Sequence, residues 1–126
     1  MVYDRNVQNA KKVSEEFNGV QYLTSLNELD ANFYAVINAT GVGMHDSVGI
    51  SPVGEDILKN CQVAIDLIYV PEKSKFLEIA ESLGKKIVNG KAMLFYQAYY
   101  AECIFFDVEA DAQFAKTIFE DYLKEE

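Results

Sequence analysis

The chain has few basic residues, no long apolar run and no recognisable export signal. Its 126 residues include 11 lysines and arginines against 20 aspartates and glutamates, which gives a net charge of −9. This charge would repel a polyphosphate backbone, so we expect no nucleic-acid partner. No apolar run reaches the length of a membrane span, and no basic stretch leads into an apolar core at the N-terminus. We therefore expect a chain without a membrane partner or signal peptide.

Cysteine and histidine are also scarce. Cys61 and Cys103 sit in apolar surroundings without the spacing of metal ligands, so we expect no metal site. Reduced, buried thiols are typical of the cytoplasm, the location we predict. His45 is the only histidine, and the sequence supplies no base, orienter and nucleophile that could be assigned around it. The sequence therefore predicts no catalytic residue.

Short apolar strands alternate with amphipathic helices. The predicted strands are 1–3, 20–23, 34–38, 63–68 and 86–88. The predicted helical segments are 7–17, 25–29, 51–58, 75–83, 91–106 and 111–126. This alternation predicts an α/β fold with a doubly wound, mostly parallel sheet and C-terminal helices.

Two segments put glycine and small polar residues where a predicted strand ends, the position at which open parallel sheets hold ligands. The first is Asn38-Ala-Thr-Gly-Val-Gly-Met44. Its spacing does not fit a phosphate loop, because Asp46 occupies the third glycine position. The spacing alone favours a strand-to-loop turn that needs glycine for its backbone angles.

The second segment, Ile87-Val-Asn-Gly-Lys-Ala-Met-Leu-Phe-Tyr-Gln97, continues directly into a helix. Met93 and Gln97 are four residues apart and would share one face of that helix. Gly90 would allow a ligand to approach the backbone closely. The alternative is a helix N-terminus with a core methionine and a glutamine bonded to the backbone.

Both segments resemble motifs of the shikimate dehydrogenases, enzymes that interconvert 3-dehydroshikimate and shikimate with NADP in aromatic amino-acid biosynthesis. Residues 38–44 match the family's Asn-Ala-Thr-x-x-Gly-Met. Residues 89–97 match Asn/Asp-Gly-x-x-Met-Leu-x-x-Gln. Between them, Asp66-Leu-Ile-Tyr69 followed by Pro71 matches an Asp-x-x-Tyr strand end. The resemblance spans residues 1 to about 106 and implies a Rossmann-like fold.

The resemblance implies that part of a cofactor site is retained. Asn38 and Thr40, with the neighbouring backbone, would contact the nicotinamide half of NADP. The carbonyl of Gly90 and the side chain of Met93 would border the nicotinamide ring.

Two further residues would form part of a substrate site. By resemblance, Tyr69 lies against shikimate and Gln97 hydrogen-bonds its hydroxyls, although the sequence leaves quinate open as the substrate. Without the resemblance, Tyr69 is an ordinary half-buried aromatic residue that caps a strand.

Cofactor choice depends on the segment Asp4-Arg5-Asn6. In the family two basic residues bind the 2′-phosphate of NADP, and here only Arg5 remains because Asn9 replaces the second. An acid such as Asp4 at this strand end commonly bonds a free ribose 2′-hydroxyl, which leaves NAD possible. The simpler interpretation of Asp4 and Arg5 is a solvated surface.

The resemblance aligns Met1 with the family's second Rossmann strand. We therefore expect the sheet to be missing its first strand, and we expect the glycine-rich turn and the catalytic domain to be missing as well. We predict an incomplete nucleotide-binding domain over 1–89 and a helical segment over 90–126 that packs on it or on a partner chain. The chain alone should then be inactive.

Three hypotheses of function stay open. In the first, the chain is the C-terminal portion of a shikimate dehydrogenase. In the second it is a binding or assembly module derived from that portion, and in the third it is a remnant that binds NAD(P) without turnover. Unpaired strand edges at the gap are adhesive, so either the second strand moves to fill it or another chain supplies the pairing. Unpartnered apolar helix rows lead us to expect a homo-oligomer, most simply a dimer.

Overall fold

A computed structural model of the chain describes residues 1–29 and 32–125. The chain divides into two compact units, Met1–Asn32 and Phe33–Glu126. The first unit contains helix α1 (Val7–Glu16). The side-chain oxygen of Asn6 caps the N-terminus of this helix by accepting the backbone N–H of Gln8. Val2 and Tyr22 form an isolated parallel bridge. The strands predicted on either side of α1 are therefore reduced to that bridge.

The second unit contains the sheet. Within the described residues it has three parallel strands in the order β1 (Phe33–Asn38), β2 (Cys61–Asp66) and β3 (Lys86–Val88). The predicted α/β class is confirmed. The strand predicted over 63–68 begins and ends two residues earlier, because the Asp66 side chain accepts the backbone N–H of Ile68 and bends the chain there.

Helices connect these strands and follow them. They are α2 (Glu55–Leu58), α3 (Lys75–Ser82), α4 (Lys91–Phe105) and α5 (Ala112–Glu125). The helix predicted from Ser51 begins only at Glu55, because the Ser51 hydroxyl donates to the Val53 carbonyl at 2.6 Å in a local turn. Glu126, the last residue of the predicted final helix, lies outside the described residues.

The core of the second unit lies between the sheet and the short helices. Its fully buried members are apolar and come from α2, β2 and α3: Leu58, Cys61, Ala64, Phe76, Leu77 and Ala80. Burial of a side chain the size of leucine or phenylalanine is worth about 1.5–3 kcal/mol. This core therefore ties β2 to α2 and α3.

Helices α4 and α5 form an antiparallel pair that we call the α4–α5 hairpin. Phe95 and Phe119 pack between the two helices with their ring centroids 5.1 Å apart and their ring planes tilted by 41°. The Tyr99 hydroxyl donates to the Asp111 carbonyl and accepts its backbone N–H, which ties the hairpin at its turn. Large apolar side chains still face solvent here, and Phe105 is 81% exposed. Of the helices among the described residues, none has the length and apolar character needed to span a bilayer.

Candidate functional site

A buried polar network joins the carboxyl ends of β1 and β2. The Asn38 side-chain amide donates to Asp66 Oδ1 at 3.0 Å and to the Val42 carbonyl at 3.1 Å. Asn38 is 3% exposed and Asp66 is 0% exposed. Buried polar groups of this kind are stable only when they are hydrogen-bonded, and both side chains are. The network therefore fixes the position at which the chain leaves β1.

The same asparagine shapes the loop that follows β1. Asn38 Oδ1 accepts both the backbone N–H of Thr40, at 3.0 Å, and the Thr40 hydroxyl, at 2.7 Å. The Thr40 hydroxyl oxygen in turn accepts the backbone N–H of Val42 at 3.1 Å. Thr40 stays exposed while Asn38 is buried. The loop thus presents Thr40 to solvent and uses Asn38 to hold it.

Asp66 also connects this loop to α3. Its Oδ1 accepts the backbone N–H of Ile68 at 3.0 Å, and its Oδ2 accepts the hydroxyl of Ser74. Ser74 is the N-cap of α3 and accepts the backbone N–H of Leu77 at 3.4 Å. One carboxyl group therefore sets the end of β1, the end of β2 and the start of α3.

Gly90 lies where β3 leads into α4 and is buried against the chain that follows β2. Its N–H donates to the Ile68 carbonyl at 3.0 Å. A Cβ atom at this position would lie 2.0 Å from the carbonyl oxygen of Leu67, far inside van der Waals contact. Only glycine fits here without moving the backbone. The predicted close approach at Gly90 is therefore made by the protein's own chain, and the Gly90 carbonyl accepts the Leu94 N–H at 3.0 Å.

Tyr69, Met93 and Gln97 are the remaining predicted site residues of this unit, and all three are exposed. Tyr69 follows β2, whereas Met93 and Gln97 lie one turn apart on α4. The methionine is therefore not a core residue. Their exposure leaves the proposed ligand contacts of all three as predictions.

Arg5 belongs to the first unit and is exposed. The neighbouring Asp4 carboxylate accepts the Asn6 backbone N–H at 2.7 Å and the Asn9 side-chain amide at 3.5 Å. Asp4 thus forms local hydrogen bonds with residues at the N-terminus of α1, which follows it in the sequence.

Lys91, the first residue of α4, forms an ion pair in which its Nζ lies 3.1 Å from Glu72 Oε1. Among residues 1–29 and 32–125 no group of three acidic, histidine or cysteine side chains could hold a metal ion. Elsewhere in the core, burial raises the pKa of the Cys61 thiol, partly offset by the charge of Lys85.

Sequence reasoning did not assign a role to Asp66 or Ser74, although they organise the site. The available signal was an acid at the end of an otherwise apolar strand, which is a rare position for an unpaired carboxyl group. Its partner Asn38 is 28 residues away in the sequence. That separation hides the pairing until the fold is known.

Parallel strands joined by helices, with polar side chains converging where the strands end, define a Rossmann-like α/β protein. No family model matches the chain. The shikimate dehydrogenase (NADP(+)) of Clostridium perfringens is 32% identical over 123 residues, which are 96% of this chain and 45% of that enzyme.

Solved structures agree with this similarity. A chorismate mutase/shikimate 5-dehydrogenase fusion protein from Clostridium acetobutylicum superimposes with a TM-score of 0.81 at 34% identity, over 98% of this chain and 44% of that one. The Listeria monocytogenes shikimate 5-dehydrogenase in complex with shikimate and NAD matches 68% of this chain and 30% of its own, at 34% identity and a TM-score of 0.55. The chain is a homologue of the C-terminal portion of shikimate dehydrogenases, and it spans less than half the length of these relatives.

Proposed function

We propose that the chain forms the C-terminal, cofactor-side portion of a shikimate dehydrogenase that interconverts 3-dehydroshikimate and shikimate with NADP. The observation that carries this proposal is the Asn38–Asp66–Ser74 network. Its members Asn38 and Asp66 lie within the motifs matched to the family, and Asn38 holds the exposed Thr40 at the end of β1. Ligands of open α/β sheets bind at these ends.

Each exposed residue then has a role on one wall of the cleft. Thr40 and Met93 contact the nicotinamide, and the backbone of Gly90 borders the same ring. Tyr69 and Gln97 face the shikimate. Asn38 acts by holding Thr40, because its own amide is fully used inside the protein. Arg5 binds the 2′-phosphate when the cofactor is NADP, and NAD is the alternative because Arg5 has no second basic partner.

The chain alone should not turn over substrate. Hydride transfer requires the alcohol and the nicotinamide to be held face to face beside a group that moves the hydroxyl proton. The exposed site side chains are arginine, threonine, tyrosine, methionine and glutamine. Asp66 cannot serve as that group, because it is fully buried and bonded to three donors. Tyr69 is assigned to the substrate, and the resemblance implies that the group which moves the proton belongs to the portion of these enzymes that this chain does not span.

A chimera tests the proposal. The segment of the Clostridium perfringens enzyme aligned with this chain is replaced by this chain, and reduction of NADP by shikimate is measured. We expect turnover, with Gln97→Ala raising KM for shikimate about ten-fold or more, as loss of hydrogen bonds to a bound ligand does. Lys116→Ala, an exposed position on α5, is the control and should leave both constants unchanged. A folded chimera without activity would contradict the proposal.

A second candidate function is a binding or assembly module, favoured by the exposed apolar side chains of the α4–α5 hairpin. We infer that the isolated chain associates with itself through this surface, as a dimer in the simplest case, in the cytoplasm. Light scattering coupled to size exclusion measures this directly. Titration of the isolated chain with NADP and with NAD by calorimetry separates a cofactor-binding remnant from a module that binds neither.

A further inference from the structure

Two segments that are distant in the sequence meet at the start of α4. One is the segment 67–72, which follows β2 and carries Tyr69. The other is the segment 89–91, which follows β3 and leads into the helix. A first connection between them is the hydrogen bond from the Gly90 N–H to the Ile68 carbonyl, at 3.0 Å. This bond holds the backbone directly before Tyr69.

Asn89 makes a second connection, on the other side of Tyr69. Its side-chain amide donates to the Glu72 carbonyl at 3.1 Å, and its side-chain oxygen accepts the backbone N–H of Lys91 at 3.2 Å. One side chain thus bonds the segment that carries Tyr69 and the first residue of α4 at the same time. An aspartate at this position could make only the second bond, because a carboxylate accepts hydrogen bonds and does not donate them.

The side chains of Glu72 and Lys91 add a third connection. The lysine Nζ lies 3.1 Å from Glu72 Oε1, but the glutamate side chain is 71% exposed. Ion pairs with exposed members contribute little to stability because water screens them. The amide of Asn89 is therefore the main connection on this side of Tyr69, and the ion pair supplements it.

We propose that Asn89 is a positioning residue, which sets the place of Tyr69 relative to Gln97 by clamping the segment 67–72 to the start of α4. Tyr69 is 41% exposed, so its position depends on the backbone that carries it, and this backbone is held on both sides. Gln97 is carried by α4 itself. The distance between these two side chains therefore depends on the clamp. Its consequence for shikimate rests on the proposed function.

The chain offers a matched pair of variants. Asn89→Asp keeps the size of the side chain and the acceptor for the Lys91 N–H, and it loses the donor to the Glu72 carbonyl. Asn60→Asp makes the same change of charge and also loses an amide donor to a backbone carbonyl, that of Asp56 at 3.2 Å. Asn60 lies before β2, at the opposite end of the strand from Tyr69. Both variants are expected to fold, because neither asparagine is fully buried.

Hydrogen exchange of the full chain tests the clamp without any measurement of activity. We expect Asn89→Asp to lower the protection factor of the Gly90 amide about ten-fold, because the segment that accepts its hydrogen bond is then held less firmly. The Glu78 amide, which is bonded at 2.9 Å in α3, should keep its protection and so reports on global stability. Unchanged protection at Gly90, an equal loss at both amides, or the same loss in Asn60→Asp would each overturn the proposal.

The chimera with the Clostridium perfringens enzyme tests the consequence for the substrate. We expect Asn89→Asp to raise KM for shikimate about three- to ten-fold and to change KM for NADP by less than about two-fold, because Thr40 and Met93 lie outside the clamped segment. A merely structural loss would lower the amount of active enzyme and leave KM unchanged. Asn60→Asp should alter neither constant.

The two experiments separate this proposal from the proposed function. An active chimera in which Asn89→Asp leaves KM for shikimate unchanged would overturn the positioning role and leave the proposed function intact. An inactive chimera would contradict the proposed function, and the exchange measurement would then decide whether Asn89 holds the segment 67–72.

Discussion

Replacement of Asp66 is the sharpest test of how the candidate site is held. Its carboxyl group accepts hydrogen bonds from the Asn38 amide, the Ile68 backbone and the Ser74 hydroxyl. Asp66→Ala leaves three buried donors without this acceptor. An unsatisfied buried donor costs about 1–3 kcal/mol. Since the serine hydroxyl can rotate and Asn38 keeps its bond to the Val42 carbonyl, we expect a total loss of about 3–5 kcal/mol in the free energy of unfolding.

Asp66→Asn should be milder. The asparagine oxygen can accept from Asn38 and from the Ile68 backbone, and its new N–H can donate to the Ser74 hydroxyl. We therefore expect a loss of about 1–2 kcal/mol, since only the direction of one bond is reversed. The free energy of unfolding of a domain is typically about 5–15 kcal/mol. If Asp66→Ala prevents folding altogether, Asp66→Asn still allows the effect of the carboxyl group to be measured.

Urea unfolding monitored by circular dichroism measures both losses. Hydrogen exchange at the Thr40 amide provides a local readout, because that amide is held only through Asn38. Asp46→Asn, at an exposed loop carboxylate, is the control and should change stability by less than about 0.5 kcal/mol. A loss below about 1 kcal/mol for Asp66→Ala would refute the idea that this carboxyl group organises the site.

Three further predictions concern other parts of the second unit. Gly90→Ala should lower the free energy of unfolding by about 2–4 kcal/mol because its Cβ meets the Leu67 carbonyl, whereas Gly41→Ala has open space and should be nearly neutral by the same urea assay. Because burial raises the pKa of the Cys61 thiol in the folded state, its contribution to stability is complete below the unfolded thiol pKa of about 8.5 and falls as pH rises through the folded pKa. Thermal unfolding from pH 7 to 10 should show that decline, and Cys61→Ala should remove the part due to this thiol. Phe105→Lys should shift light-scattering mass toward the monomer without loss of helical signal, and an unchanged mass would exclude this part of the hairpin from self-association.

Much of the architecture could be predicted from local pattern. The period of apolar residues located α3 to within one residue, and the apolar run after Gly90 did the same for α4. The prediction of β3 over 86–88 was correct at both ends. Asp111 was expected at the start of the last helix, and its carboxylate indeed accepts the N–H groups of Gln113 and Phe114. Such signals are local because the residues that cause them are neighbours in sequence.

Other features depend on contacts between distant residues. The segments 1–3 and 20–23 have strand-like composition but form a single bridge, since a strand is stabilised by its partners rather than by propensity. The motifs identified Asn38 and Thr40 as site residues. Their different roles follow from the structure, because Asn38 is buried and Thr40 is exposed. The roles of Arg5, Tyr69, Met93 and Gln97 toward cofactor and substrate stay predictions.

The three-way bonding of Asn38, Asp66 and Ser74 constrains how this protein can be altered. Because each member satisfies another, a change that removes hydrogen-bonding capacity at one position favours a matching change at its partners, so homologous chains should vary at these positions in concert. Gly41 has open space around it and an ordinary backbone conformation. Attempts to alter ligand preference should therefore diversify the tip of this loop and leave the three residues beneath it intact.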